Sequence, residues 1–518
     1  MESIFSGLWR EFPFTFWGQP AAVAISGIVA DDRQLQPGNV FVAIKGYTID
    51  SHKLIPEVIK REASAIVGTE ELFGLPVPYI KVENSRQALA YLAAAFYGQP
   101  GRKMTMIGVT GTDGKTTTIN LIFHILRAAG IKTGMISTVN AVIGDQDIDT
   151  GFHVTTPDAV EVQRYLYQMV EAGMSHCLIE TTSHGWAQHR VDSCEFDLGV
   201  ITNITHEHLD EHGTYENYRA AKGRLFQNLA ETKPKNGKSL RVAILNRDDS
   251  SFDYLSGLID NLSGVRYVTY GILQDADIKP RLIGQNSAGL DFEVELLGKT
   301  YAIHSPMVGD FNVSNCLAAI TATACGLNIN PSAIQAGISS LTGVPGRMER
   351  IDLGQDFIAL VDFAHTPNAL KRALETARQL GKGRVITIFG SAGLRDRQKR
   401  RTLAEISSKL ADVTILTAED PRTEPLKLIL EEMTVAARSS GGYDGKTLFT
   451  IPDRGEAIRF AVKIAQKGDI VIVCGKGHEQ SMCFGTTEYP WDDRIALRAA
   501  LALRMGVPGP TMHKLPTS

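Results

Sequence analysis

This chain of 518 residues lacks most of what would assign a protein to a membrane, to nucleic acid or to a disulfide scaffold. It has only six cysteines (Cys177, Cys194, Cys316, Cys325, Cys474 and Cys483), scattered without a Cys-x-x-Cys pair. That scatter fits buried thiols in a reducing compartment and not a disulfide framework. The formal charge is -4, from 53 Lys and Arg against 57 Asp and Glu. So even a balance excludes a basic footprint for nucleic acid and a polybasic face for anionic lipid, and it points to a small-molecule partner. No apolar run approaches the length of a membrane span. Near the start, Glu2, Arg10 and Glu11 interrupt the apolar residues, so the basic start and apolar core of a signal peptide are both missing. A cytoplasmic protein without membrane insertion is expected. There is no internal repeat and no low-complexity tract. Hydrophobic residues at 43% and charged ones at 21% describe an ordinary soluble globular protein, and the length suggests about three domains.

What is present begins with residues 108 to 118, Gly-Val-Thr-Gly-Thr-Asp-Gly-Lys-Thr-Thr-Thr. Met104 to Ile107 before them is a short β-type run, and Ile119 to Leu126 after them is apolar at helical spacing. A glycine-punctuated loop joining strand to helix turns unpaired backbone N–H groups and the helix dipole toward an anion. Gly111, Thr112, Asp113 and Gly114 would cradle phosphates, Lys115 would bridge the outer ones, and Thr116 or Thr117 would hold Mg²⁺. Val109 stands where the general Gly-x4-Gly-Lys-Ser/Thr pattern has its first glycine. The segment matches the narrower Thr-Gly-Thr-x-Gly-Lys-Thr-Thr form. A nucleoside triphosphate, ATP, is the expected ligand.

Around this loop the chain reads as an α/β protein. Short β-type runs at Val40–Ile44 and Ala65–Val67 lie in residues 1–100, which close on a linker-like Gly98-Gln99-Pro100-Gly101. Residues 101–340 alternate helical patterns with buried-strand runs at 177–179, 198–201 and 242–245. A boundary at Thr342 to Arg347 opens a third region, 341–518, with runs at 357–361, 385–389, 413–416 and 470–473. The alternation predicts a parallel sheet in the middle region and a doubly wound one in the last.

Six of the thirteen histidines fall between residues 176 and 212. Glu180-Thr181-Thr182-Ser183-His184 directly follows the strand run 177–179, where an open α/β sheet places ligand groups, and Glu180 suits a hard cation. A second cluster, Asn203 to Gly213, follows the run 198–201. Its His208-Leu-Asp-Glu211-His212 satisfies a zinc-protease pattern, but a protease has no use for a phosphate loop, and the segment leaves a strand instead of lying mid-helix. Core or solvated positions remain open for His176, His206 and His212.

The loop, the Glu180–His184 cluster, the Asn203–Gly213 segment and Tyr215 to Lys222 together resemble the Mur ligase family, and the likeness runs from Asp31-Asp32-Arg33 to Asp492-Asp493-Arg494. The resemblance implies three domains: a small N-terminal α/β uridine-binding domain, a central phosphate-loop ATPase domain, and a C-terminal doubly wound, Rossmann-like domain. It also implies a monomer that forms an amide between a nucleotide-linked muramoyl dipeptide and a free amino acid, with ATP going to ADP and phosphate, in peptidoglycan precursor synthesis. Lys115, Glu180, His208 and Lys222 would be catalytic. Thr116, Glu180, His208 and Lys222, the last as a carbamate (N6-carboxylysine), would serve Mg²⁺. Asp32 and Arg33 would face the uridine nucleotide, although the family's usual Asp-Ser-Arg is here Asp31-Asp32-Arg33. Thr155, Thr156, Ser183, Gln188 and Arg190 would meet the muramoyl dipeptide. Asn312 in Gly309-Asp-Phe-Asn-Val-Ser-Asn315 would face adenine, and Arg347, Asp362 and His365 would complete the ATP side.

By the same resemblance Arg395, Asp420, Arg422, Gly475 and Glu479 would grip the incoming amino acid. A guanidinium can hold a carboxylate in a bidentate pair, and a carboxylate can hold an ammonium. Meso-diaminopimelate carries both groups at its far end. Glu419-Asp420-Pro421-Arg422 departs from the Asp-Asn-Pro-Arg usual in diaminopimelate-adding members: a carboxylate at 420 would repel a distal carboxylate and attract the bare ammonium of lysine or ornithine. Arg422 pulls the other way. Diaminopimelate is favoured, with L-lysine or L-ornithine as the alternative. Other Mur-type ligases and a non-catalytic phosphate-loop module fit the clustered Glu180, His208 and Lys222 and the Gly475-Lys-Gly-His-Glu479 segment less well.

Overall fold

The computed structural model describes residues 14–17, 25–46, 49–148, 156–205, 213–237, 239–286 and 289–517, and the counts below are of these residues. They divide into two compact units: Met1–Lys279 with Cys316–Gly337, and Pro280–Asn315 with Ile338–Ser518.

The first unit contains two sheets. β1 (Phe14–Trp17), β2 (Gly27–Val29), β3 (Asn39–Val42), β4 (Ala65–Gly68) and β5 (Tyr79–Val82) stand in the order β1-β5-β4-β3-β2. All pairs but β1 with β5 are parallel. Both faces are covered, with Val40, Val42 and Val67 in one apolar cluster and Phe41 and Ile66 in another. This explains why the strands read as unbroken apolar runs. Helix α1 (Ser85–Phe96) packs on one face, its N-terminus capped by the Asn84 side chain, which accepts from the N–H groups of Arg86 and Gln87.

The second sheet comprises β6 (Thr105–Thr110), β7 (Thr133–Ile136), β8 (Ala141–Ile143), β9 (Gln146–Ile148), β10 (His176–Glu180), β11 (Leu198–Ile201), β12 (Val242–Asn246) and β13 (Arg266–Tyr270). Their order is β13-β12-β11-β6-β10-β7-β8-β9. It is parallel from β13 to β7. β6 lies between β10 and β11, which sends the chain to opposite sides and opens a crevice at its C-terminal end, the position where such sheets hold ligands. Helix α2 (Lys115–Ala128) leaves β6 through the glycine loop. Gly108 of β6 and Gly199 of β11 are register partners, and a Cβ on either would strike Leu225 at 2.6 or 2.9 Å. The missing side chains let helix α4 (Tyr215–Glu231) lie directly on the sheet. A shorter helix, α3 (Ser183–Ala187), starts beside the end of β10, capped by Thr182.

The stretch expected as a linker is a packed 3₁₀ turn, Pro100–Lys103. Gly101 is buried, and a Cβ there would meet the Cys194 carbonyl at 2.5 Å. Five cysteines are buried and Cys325 is half-buried, all as free thiols.

In the second unit, β14 (Pro280–Asn286), β15 (Gly289–Leu296) and β16 (Lys299–Ser305) form an antiparallel meander that the sequence reading did not anticipate. β17 (Glu349–Arg350), β18 (Ile358–Asp362), β19 (Val385–Phe389), β20 (Val413–Leu416), β21 (Leu448–Thr450) and β22 (Ile470–Cys474) form a sheet in the order β17-β18-β22-β19-β20-β21. It is parallel apart from β17. Alternate residues of β22 enter opposite cores, Val471 and Val473 on one face, Ile470 and Ile472 on the other, as a doubly wound fold requires. A hairpin of β23 (Ser481–Phe484) and β24 (Thr487–Pro490) follows.

Beneath the C-terminal strand ends lies an ion pair with both side chains fully buried. Arg454 donates to both Asp493 oxygens at 2.7 and 2.6 Å, and to the carbonyls of Ala418 and Cys474. Asp493 also accepts from the Trp491 indole. Removing one partner strands a charge in the interior. Arg454→Leu should therefore lower stability by about 3–5 kcal/mol, read as a reduced urea midpoint, and Arg454→Leu with Asp493→Leu should recover most of the loss. A single variant with an unchanged midpoint would contradict this.

Candidate active site

The crevice is built from the ends of β6, β7, β10 and β11. β10 carries Glu180 in register with Val109, two residues before the loop glycine Gly111. Glu180 is buried, its oxygens accepting from Thr116 Oγ1 at 3.1 and 3.0 Å and from the Thr138 N–H at 3.1 Å. Gly111 has φ +150°, and a Cβ there would lie 1.9 Å from Thr202 Oγ1, so glycine is the residue this turn accepts. Gly114, φ +79°, opens α2.

The loop is held from β11. Asn203 takes the Asp113 N–H on Oδ1 (3.0 Å) and gives Nδ2 to the Asp113 carbonyl (3.1 Å), while its own carbonyl accepts from Thr112 N–H at 2.7 Å. Thr112 Oγ1 meets Tyr218 Oη at 3.1 Å and accepts from Thr205 N–H. Lys222, buried, donates to the Gly111 carbonyl at 2.6 Å and lies over the Tyr218 ring. Lys115 turns back on the Thr112 carbonyl at 2.9 Å. The loop, Glu180 and Lys222 are thus brought together. His208 and Thr155 lie outside the described residues. Among the described residues no group of three or more His, Cys, Asp and Glu gathers as a metal centre. The Glu180 and Thr116 oxygens form the hard donor set a Mg²⁺ ion would take.

From Glu180 a chain of contacts runs outward. Thr156 Oγ1 donates to the Glu180 carbonyl and accepts from Thr182 N–H. Arg190 donates to the Thr156 carbonyl (2.7 Å) and to Gln188 Oε1 (3.1 and 2.7 Å), and Gln188 Nε2 meets His184 Nε2 at 2.6 Å. Ser183 is buried at the start of α3. In the N-terminal sheet region Arg33 pairs with Asp31, not Asp32, and by that hydrogen bond holds the Asp31 carboxyl below its ordinary range. The Asp32 carbonyl accepts from Arg61.

In the second unit, Asn312 donates to the Val308 carbonyl and accepts from Asn315. Asp362 accepts from Met348 N–H (2.7 Å) and Ala364 N–H (2.8 Å), bracing the turn that carries Arg347. The Arg347 guanidinium lies over the Phe363 ring, which also contacts the His365 and His478 rings. A Cβ on Gly346 would strike His478 N at 2.2 Å. The segments expected to serve ATP and the amino acid therefore adjoin within this unit.

Asp420 does not stand as an uncompensated charge. Its oxygens accept from Lys476 Nζ at 3.0 and 2.9 Å and from Cys483 N–H, and Lys476 also pairs with Glu479 at 2.5 Å. Burial works against the Lys476 charge, but Glu479 and Asp420 outweigh it and its pKa rises. Asp420 and Arg422 have left-handed backbones, and the Arg422 peptide pairs with Cys483 and Gly485 of the hairpin. Leu394, next to Arg395, donates its N–H to Glu424, which Arg400 holds down at about 2.

The sequence reading missed Lys476 and Glu419. Lys476 sits between two residues it had chosen, and the carboxylate at 420 was a signal that a cation must answer it. Glu419 is buried, its Oε2 has no hydrogen-bond partner among the described residues, and a Cβ on Gly475 would lie 2.2 Å from that oxygen. Burial pushes its carboxyl up to about 7.

Three family models cover the chain: the Mur ligase family catalytic domain at residues 24–97, the Mur ligase middle domain at 109–323, and the Mur ligase glutamate ligase domain at 346–477. A UDP-N-acetylmuramyl-tripeptide synthetase of Roseiflexus sp. (strain RS-1) is 43% identical over 93% of this chain and 96% of its own. A UDP-N-acetylmuramoyl-L-alanyl-D-glutamate--2,6-diaminopimelate ligase of Geobacillus thermodenitrificans is 40% identical over 94% and 97%. The chain belongs to the Mur ligase family. A solved structure of a UDP-N-acetylmuramoyl-L-alanyl-D-glutamate--2,6-diaminopimelate ligase superposes with TM-score 0.65 at 29% identity, covering 93% of this chain and 95% of that one. The protein is an ATP-dependent, ADP-forming amide ligase with the three-domain α/β fold of Mur ligases.

In this ligase Glu419 makes stability depend on pH. The unfolded carboxyl titrates near 4.5, so between 4.5 and about 7 the folded protein keeps a proton the unfolded chain has released, and stability falls as pH rises. Glu419→Gln removes that loss. Its melting temperature relative to wild type should climb from about pH 5 to about pH 8, by a gain worth about 3 kcal/mol at most. A difference flat across that range would rule the shift out.

Proposed function

We propose that this ligase adds meso-diaminopimelate to UDP-N-acetylmuramoyl-L-alanyl-D-glutamate, as a monomer in the cytoplasm, in peptidoglycan precursor synthesis. The observation that carries the choice of amino acid is the Asp420–Lys476–Glu479 arrangement. With Lys476 answering Asp420, the repulsion expected of a carboxylate at 420 is largely offset, and Arg422 retains a reason to be there, a distal carboxylate. The name of the Geobacillus relative supports the same reading. L-lysine or L-ornithine is the second reading, favoured by the extra carboxylate itself.

The chemistry must make a carboxylate electrophilic and an ammonium nucleophilic. A carboxylate oxygen of the dipeptide attacks the γ-phosphorus of ATP, ADP departs, and an acyl phosphate remains. The free amine then attacks the acyl carbon and phosphate leaves. Gly111 to Thr117 cradle the phosphates, and Lys115 swings from the Thr112 carbonyl to the outer phosphate oxygens. Asn312, Arg347, Asp362 and His365 are the further residues assigned to the nucleotide. Asp32, Arg33, Thr155, Thr156, Ser183, Gln188 and Arg190 hold the UDP substrate, and Arg395, Asp420, Arg422, Gly475 and Glu479 the amino acid. Thr116, Glu180, His208 and Lys222 would hold Mg²⁺, which when bound offsets charge between phosphate and carboxylate. Lys222 serves as a carbamate, formed when its neutral amine takes up carbon dioxide. Boundaries near residues 100 and 340 separate the three domains.

Two experiments test this reading. With diaminopimelate, lysine and ornithine supplied together, mass spectrometry should find the diaminopimelate tripeptide in excess; a lysine or ornithine product would replace it with the second reading. Lys222→Ala should lose at least about a hundredfold in kcat without recovery in bicarbonate, and an active variant would remove the carbamate.

A further inference from the structure

Helix α3 ends in a Schellman turn. The His189 N–H donates to the Trp186 carbonyl and the Arg190 N–H to the Gly185 carbonyl, with His189 at φ +58°. That left-handed position ordinarily belongs to glycine. Histidine is less at ease there than glycine would be, and its side-chain contacts reach in two directions. Nδ1 meets Asp192 Oδ2 at 2.6 Å, and Asp192 is itself held by Arg224 at 2.8 Å. Nε2 meets Asn84 Nδ2 at 2.8 Å. Asn84 is the cap of α1, and because its Oδ1 already accepts from Arg86 and Gln87, its amide must present N–H to the ring. Nε2 is therefore the acceptor and Nδ1 carries the proton toward Asp192.

The left-handed turn at 189 also brings Gln188 and Arg190 to the same side, where their side chains pair. We propose that His189 is a positioning residue that ties the loop bearing Gln188 and Arg190 to helix α1 of the N-terminal sheet region, so that one UDP-linked substrate is gripped at its uridine and peptide ends by a single frame. This rests on the assignment of Gln188 and Arg190 to the muramoyl dipeptide. His189 touches no reacting atom; its effect is on how the two halves of the substrate site are spaced.

His189→Gly separates this role from a structural one, because glycine suits the turn better; it deletes the contact to Asn84 together with that to Asp192, which Arg224 still holds. Asn84→Ser removes the tie from the other side and keeps a good helix cap. Each variant should raise KM for the UDP-muramoyl dipeptide about three- to tenfold, the span of one buried hydrogen bond, with KM for ATP and kcat within about twofold of wild type. The double variant should add little to either single one. If both single variants keep wild-type KM for the UDP substrate while Arg190→Ala raises it, the tie is refuted and the substrate assignment stands. If Arg190→Ala also leaves that KM unchanged, the assignment and the tie fall together.

Discussion

The geometry around the glycine loop depends on how closely one helix approaches one sheet. Gly108 and Gly199 are partners across β6 and β11, and the space they leave is filled by Leu225. Leu225 is three residues from Lys222 and seven from Tyr218, so the contact that seats the helix also aims those two side chains at the strand ends. Lys222 then reaches the Gly111 carbonyl and Tyr218 the Thr112 hydroxyl. A side chain on either glycine would lift the helix and pull both groups off the loop. The placement of both side chains at the loop follows from a packing distance set inside the core.

The loop itself is restrained by contacts within the protein. Asn203 occupies both backbone polar groups of Asp113, and Thr202 Oγ1 donates to the same carbonyl at 2.6 Å. Such contacts reduce the ordering that binding would otherwise require. The same principle recurs in the C-terminal unit with charges in place of peptide groups. Arg454 faces Asp493, and Lys476 lies between Asp420 and Glu479, so charges leave water only with a partner. Glu419 is the exception: one of its oxygens has no hydrogen-bond partner among the described residues, and burial raises its pKa beside Gly475.

Much of the fold is legible in the chain because parallel strands covered on both faces must be apolar throughout. Val385–Phe389 and Val413–Leu416 appear in the structure with the bounds the apolar runs predict. The meander at 280–305 was missed for the complementary reason. In β15 the buried Leu290, Phe292, Val294 and Leu296 alternate with Asp291, Glu293 and Glu295, the period of a half-buried antiparallel strand, which leaves no continuous apolar run. Gly98–Gly101 reads as a linker from composition, but Gly101 is small so that the Cys194 carbonyl can pack against it.

The sequence by itself determined the phosphate loop, the strand ends that carry Glu180 and Asp362, and membership of a ligase family, because each depends on residues adjacent along the chain. Only the tertiary structure decided what those residues face. Whether the Asp420 charge stands alone or is answered turns on Lys476, 56 positions away. Whether the histidine between Gln188 and Arg190 is a turn or a tie turns on Asn84, 105 positions away. A side chain's charge and hydrogen-bonding state are set by its neighbours in space, and long-range neighbours exist only once the chain has folded.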